Sequence, residues 1–227
     1  MTTVLDNLDL VLRGFTYTVV LFLIAGVLSM VIGTFLAAFR VGPVAVLRRA
    51  VATYVTLVRN TPLLIVLIFF RLAGPKIGLN FNFVDIVIGD LRINNLFAAC
   101  VAALTVYTST FVCEGLRAGI NSVPLGQAEA ARAIGLPFPG VMREVVLPQA
   151  FRAAVPPLAS VQIALLKNTT LCGIFGVAEA FFRMKGFTNN EPGDRAGIFL
   201  TFALIFVVLV ELLSFAANRL ERRWRVA

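Results

Sequence analysis

Two stretches without a single charged side chain, Phe15–Phe39 and Ile93–Cys113, constrain this chain more than any other feature. Each holds at least the roughly 20 residues that a helix needs to cross the hydrocarbon layer of a bilayer. Hydrophobic residues make up 59% of the 227 and charged ones 14%, with a mean hydropathy of +0.91. A water-soluble domain carries about a quarter charged residues, so a soluble core is excluded.

Hydropathy places five spans, at about 14–39, 54–73, 93–116, 153–178 and 196–217, which puts the termini on opposite sides. With the N-terminus outside, the inner set holds Arg40, Arg48, Arg49, Arg117, Arg132, Arg143, Arg152, Arg219, Arg222, Arg223 and Arg225. The outer set is smaller: Arg13, Arg71, Lys76, Arg92, Arg183, Lys185 and Arg195. Positive charge collects on the cytoplasmic side, so the expected orientation is N-terminus out and C-terminus in. Trp224, among Arg222, Arg223 and Arg225, suits an interfacial anchor. The N-terminus has Asp6 and Asp9 ahead of its apolar run and lacks the basic start of a cleaved signal peptide, so the first segment is expected to remain as a membrane helix.

A formal charge of +8 raises the question of nucleic acid, but the arginines lie in short connections between apolar runs, and no nucleic-acid partner is expected. The chain contains no His, and Cys100, Cys113 and Cys172 sit apart inside apolar stretches. They read as packing residues, and no metal site or catalytic residue is assigned. An intramembrane enzyme would need a nucleophile–base pair or metal ligands, whereas the carboxylates here are scattered.

Two places depart from plain spans. Arg59-Asn60-Thr61-Pro62 interrupts the second, where Thr61 can cap a helix that has Pro62 at its first position. Residues 44–58 then form an interfacial helix or the start of the span. The stretch from Gly74 to Asn95, rich in Gly, Pro, Asn and Asp, reads as an external loop.

The longest inner connection runs from Asn121 to Pro148. Gln127 to Ile134 favour a helix, Gly135 fits its C-terminus and Pro137 stops it. A second short helix is expected over Val141–Val146, with Arg143 and Glu144 exposed and Pro148 turning the chain again. Helices this short are marginal in isolation and need a surface to dock on. The small Ala130 and Ala131 permit a close approach to a partner's groove, and the alternative is a cap over the chain's own spans.

Here the order Glu129-Ala130-Ala131, three residues, Gly135, eleven residues, Leu147-Pro148 resembles the EAA loop of permease subunits of binding-protein-dependent ABC importers. Val145 stands where the family commonly has Ile. Arg59-Asn-Thr-Pro-Leu63, Val123-Pro-Leu-Gly126-Gln127, Leu147-Pro-Gln-Ala150 and Leu166-Lys-Asn-Thr-Thr-Leu171 narrow the likeness to polar amino acid permeases. Tyr107-Thr-Ser-Thr-Phe111, Arg117-Ala-Gly-Ile-Asn121 and Lys167-Asn-Thr-Thr170 are most similar to bacterial glutamate-uptake permeases.

The resemblance implies one all-α type I ABC importer transmembrane domain over residues 1–227, in a bacterial cell membrane, with a coupling loop at about 117–152. It implies alternating access, with Gly126, Gln127, Glu129, Ala130, Ala131, Gly135, Leu147 and Pro148 coupling to an ATPase subunit. ATP and Mg would be bound by that ATPase and no cofactor by this chain, which carries no Walker A sequence. The other implied partners are a second, different permease subunit rather than an identical one, an extracytoplasmic amino-acid-binding protein, and membrane lipid. The implied cargo is glutamate, with glutamine or a basic amino acid as the alternative.

Within the membrane, Lys167, Asn168, Thr169 and Thr170 interrupt the fourth span. A charge there costs at least roughly 2.5–3.5 kcal/mol on insertion scales, so it should face protein or a water-filled path. With Thr108 and Ser109 of the third span, and Arg59 of the second, these residues are the candidate pathway. An ammonium beside hydroxyls and an amide can receive a carboxylate. Lys167 can equally pair with Glu114 or a backbone carbonyl, and the Thr/Ser cluster can serve as glue between helices. Glu114 and Arg117 are spaced to pair along one helix face.

Overall fold

Apolar sequence forces the backbone to satisfy its own hydrogen bonds, and helices do so within each segment. The computed structural model describes the backbone of residues 2–224 and the side chains of 3–222, so the anchor expected at Trp224, with Arg223 and Arg225, lies outside the described side chains. After a short α1 (Thr2–Asp6), α2 (Leu8–Val41) crosses first. Next come α3 (Ala45–Asn60) and the segment Leu63–Ile77, which begins with α4 (Leu63–Ile68). The third crossing is α5 (Asn95–Asn121), followed by α6 (Leu125–Ala133). A continuous helical segment, Phe138–Phe175, contains α7 (Phe138–Gly140) and α8 (Leu147–Asn168). Last are α9 (Ala180–Asn190) and α10 (Arg195–Trp224). Four of these helices are long and apolar enough to span, and five if the bent pair counts as one. The expected all-α architecture of about five spans is therefore observed.

Close packing, made possible by small residues, sets the arrangement. Parallel neighbours α2 and α5 bury Leu21, Ala25, Phe97, Cys100 and Leu104 in one cluster, and Ala37, Val112, Cys113 and Leu116 in another. A Cβ on Gly33 would stand 2.5 Å from Val112 Cβ, so the two backbones cross at a distance only glycine allows. On its other side α5 meets the antiparallel α8, where a Cβ on Gly119 would fall 2.5 Å from the carbonyl oxygen of Ala150.

The second span differs from expectation. Helix α3 ends at Asn60, and Leu63–Ile77 leaves it at 101°. Thr61 does not cap the helix that follows; its hydroxyl donates back to the Leu57 carbonyl at 2.8 Å and closes α3, while Pro62 itself occupies the N-cap of α4. Proline lacks an N–H and steers the residue before it out of the helical region, so the break falls at Thr61. Helix α3 buries Val51 and Val55 against Ala37, Val112 and Leu116 and exposes Arg48 and Arg49.

Pro148 also departs from expectation, because the chain does not turn there. It sits at the second position of α8, directly after a wide π-turn, Val141–Val146, within the unbroken 138–175 segment. A π-turn shifts the hydrogen-bonding register by one residue and accommodates a missing N–H next to it.

The end opposite the 121–147 loop carries a small hairpin, β1 (Ile86–Ile88) with β2 (Leu91–Ile93), inside the expected external loop. Arg92 donates twice to Asp85 at 2.9 Å and holds that carboxyl below its usual range. Arg13 of α2 reaches Asp90 at 3.2 Å, and the Tyr17 hydroxyl accepts the Arg92 N–H at 2.8 Å. Nearby, the fully buried Glu179 caps α9 by accepting the N–H groups of Phe181 and Phe182 at 2.9 Å. Burial pushes its carboxyl up to about 7 against the pull of those two amides.

Candidate functional site

Two regions bring the sequence-selected residues together. The first is a cavity of about 320 Å³ between α5 and α8, lined by Tyr107, Thr108, Phe111, Ser160, Ala164, Leu165 and Asn168, among others. Its size falls in the roughly 300–1,000 Å³ range of small-molecule sites. On α8, Ser160, Ala164 and Asn168 recur every four residues and share one face; on α5, Tyr107 and Phe111 do the same, with ring centroids 5.0 Å apart. A phenol, the Thr108 hydroxyl and a carboxamide thus face a wall of apolar carbon, and Ser160, whose hydroxyl donates to the Pro156 carbonyl at 3.2 Å, keeps its oxygen as an acceptor there.

Of the expected pathway residues, Thr108 and Asn168 line this cavity. Lys167 precedes Asn168 near the end of α8, is exposed, and is not among the residues that line the cavity. The pairing with Glu114 that the sequence left open for it does not form, because Glu114 gives its carboxylate to Arg40, Arg59 and Arg117. Arg59 joins that cluster instead of the cavity. Ser109 turns away: its hydroxyl donates to the Val106 carbonyl and meets the Tyr54 phenol of α3. Thr169 is fully buried and donates to Leu166, and Thr170 donates to Lys167, so both hydroxyls serve their own helix.

The second region is the loop. Helix α6 ends as its sequence dictates: Gly135 takes φ +89°, and the N–H groups of Gly135 and Leu136 bond the carbonyls of Arg132 and Ala131 at 2.9 and 3.1 Å. That pattern satisfies carbonyls a helix end leaves open. The inner face of α6 packs on the chain itself: Ala131 is buried with Val141 and Val146, so of the alanine pair expected at a partner only Ala130 stays exposed. Gln149 donates to Gln127 and to the Val145 carbonyl, which ties two of the sequence motifs together and fastens α6 to the start of α8.

The outer face of this loop is open. Gly126, Gln127, Glu129 and Pro148 are exposed, Leu147 is half-buried, and Leu125 and Ile134 are 80% and 81% exposed. Leu125 precedes Glu129 by one helical turn on α6, and Ile134 follows at the C-cap, so two bare apolar side chains flank one exposed carboxylate along this element. Arg143 and Glu144 are exposed as expected and face each other at 3.5 Å.

Sequence reasoning left Arg40 and Ser160 unassigned. Arg40 lies 74 residues from its partner Glu114, a pairing that no local spacing reveals. Ser160 was within reach, since its four-residue interval to Ala164 and Asn168 marks one helix face.

The chain matches the family described as "Binding-protein-dependent transport system inner membrane component" over residues 11–226. It is 38% identical to the glutamate transport system permease protein GluC of Corynebacterium glutamicum, over 95% of this chain and 94% of that one. With the probable glutamine ABC transporter permease protein GlnM of Bacillus subtilis it shares 32%, over 96% and 94%. A crystal structure of an amino acid ABC transporter with histidines superposes with a TM-score of 0.85 at 26% identity, covering 98% of this chain and 97% of that one. The MetNI methionine ABC transporter in an inward-facing conformation has the same fold, with a TM-score of 0.73 over 96% and 98% at 23% identity.

Proposed function

Because this multi-pass membrane chain belongs to the family of binding-protein-dependent transport system inner membrane components and is a permease subunit of an amino acid ABC importer, we propose that its cargo is glutamate. The loop-bearing end faces the cytoplasm, and the hairpin end faces outward, where a binding protein delivers the amino acid. ATP with Mg binds a partner subunit, which docks on the outer face of α6 through Glu129, Ala130 and the bare Leu125 and Ile134. The fixed link between Gln127 and Gln149 passes that movement into α8 and so to the cavity.

One observation carries the cargo: the nearly full-length likeness to a glutamate permease, joined to an exposed Lys167 next in sequence to Asn168 of a small-molecule-sized cavity. An ammonium in the middle of a span needs water or protein around it, and it supplies the charge that a carboxylate cargo requires. The cavity opens at the surface of the chain, and five helices are too few to enclose a polar path. A second permease subunit therefore completes the pathway, and we take it to be a different chain.

Glutamine is the second reading. Likeness to a glutamine permease supports it, and the uncharged cavity lining accepts a carboxamide as well as a carboxylate. Uptake by the reconstituted complex with its binding protein decides between them. Radiolabelled glutamate should enter and be outcompeted by unlabelled glutamate far better than by glutamine or arginine. Glutamine uptake with glutamate excluded would overturn the glutamate reading.

A further inference from the structure

We propose that the arginines gathered around Glu114 form a binding site for a small carboxylate anion, with Glu114 as its resident competitor. The inference builds on the importer reading only for the source of the anion, cargo accumulated on the loop-bearing side.

Three elements contribute. Arg40 comes from the end of α2, Arg59 from the last turn of α3, and Arg117 from α5, one helical turn beyond Glu114. Glu114 Oε1 accepts a hydrogen bond from Arg40 Nη1 at 2.5 Å and faces Arg59 Nη1 at 3.8 Å, while Oε2 faces Arg117 Nη1 at 3.5 Å. Only the first contact has the length of a charge-assisted hydrogen bond; the other two guanidiniums are held by attraction and keep donors free. Their side chains are 47% and 41% exposed, against 12% for Arg40.

Charge and geometry agree. Three fixed cations surround one carboxylate, and a guanidinium cannot shed its proton to relieve the excess. Two half-exposed guanidiniums on two different elements flank a shared carboxylate, and each offers a planar fork of the kind that pairs with a second carboxylate. A structural bridge would need a single arginine; here Arg40 already forms it.

The position gives the site a role. Tyr107, Phe111 and Glu114 follow one another at intervals of four and three residues along one face of α5, so Glu114 lies roughly 5 Å along the helix axis beyond Phe111 of the cavity lining, toward the loop. An anion leaving the cavity in that direction meets Arg59 and Arg117 next. Arg59 stands two residues before the 101° break between α3 and α4, so an anion that draws it from Glu114 acts on the joint of the bent span. Cargo accumulated on the loop-bearing side therefore slows further uptake.

Thermal unfolding of the purified complex, with succinate and glutamate as probes, tests the site. Succinate has no ammonium and reports the arginine cluster even if the transported amino acid is not glutamate. Both anions should raise the unfolding temperature of the native complex, and the lysine cation should not. In Arg59→Gln and Arg117→Gln, which keep the Arg40–Glu114 bond, the anion concentration giving half the shift should rise at least tenfold. Glu114→Gln, which removes the competitor, should lower it. Luminal glutamate should slow uptake in the native complex and lose that effect in the two arginine variants. Equal shifts in all four proteins would overturn the site. So would a response of the same variants to phosphatidylglycerol with none to succinate, which would make a lipid headgroup the occupant.

Discussion

Glu129→Arg is expected to leave the chain inserted in the membrane while the recovery of the ATPase subunit with it, and with it ATP-dependent uptake, falls at least about tenfold. Glu129 is exposed on α6, and its substitution removes no contact that holds the fold. Arginine is as good a helix former as glutamate, so α6 itself persists. What changes is the sign of the charge beside Leu125 and Ile134. A hydrogen bond to a charged group contributes about 1.5–3 kcal/mol, and each 1.4 kcal/mol is tenfold in affinity. Reversal also sets the new cation against whatever donor faced the carboxylate, so the loss should exceed that of Glu129→Gln. Full uptake in the arginine variant would remove Glu129 from the docking surface.

Lys167→Met should lower the maximal rate of glutamate uptake on the order of tenfold, measured with saturating binding protein in reconstituted vesicles. Methionine keeps the unbranched stem and the helix propensity and deletes only the ammonium. Losing one charge-assisted contact of about 1.5–3 kcal/mol gives that factor or more, at 1.36 kcal/mol for each tenfold in rate. Insertion should be no worse, since a mid-span cation is the costly residue of the pair. A packing role predicts a different pattern: a poorer yield of assembled complex and equal losses for every cargo. The pathway role predicts a loss concentrated on the anionic cargo, with glutamine affected far less and with partial rescue in Lys167→Arg. Unchanged glutamate transport in an intact complex would return Lys167 to the framework.

The legible parts of this molecule are those decided locally. The uncharged stretch Phe15–Phe39 lies within α2, and Ile93–Cys113 lies within α5 from Asn95 onward, because length and apolarity alone require helix in lipid. Gly135 closed α6 in the left-handed conformation that its neighbours called for. Where the sequence misled, a nonlocal or register effect had intervened. Pro148 reads as a break until the π-turn ahead of it is seen, and a π-turn leaves no mark in local propensities. Thr61 has the chemistry of a helix start, yet its hydroxyl found the preceding carbonyl first.

The candidate site divides the same way. Thr108 and Asn168 were legible as polar residues in apolar spans, and the structure sets them around one cavity. Ser109, Thr169 and Thr170 carry the same chemistry, but a single helical step turns each hydroxyl onto its own backbone. The charge cluster was half visible: Glu114 and Arg117 announce themselves by spacing, whereas Arg40 and Arg59 arrive from helices that only the tertiary fold brings near.

Purification of the chain from its native membrane in mild detergent, followed by reconstitution into liposomes with the copurified subunits, tests the central claim most directly. The account predicts recovery with an ATPase subunit and a second permease, and amino acid uptake that requires the binding protein outside and ATP inside the vesicles. A chain that purifies alone, or uptake that proceeds without ATP, would contradict it.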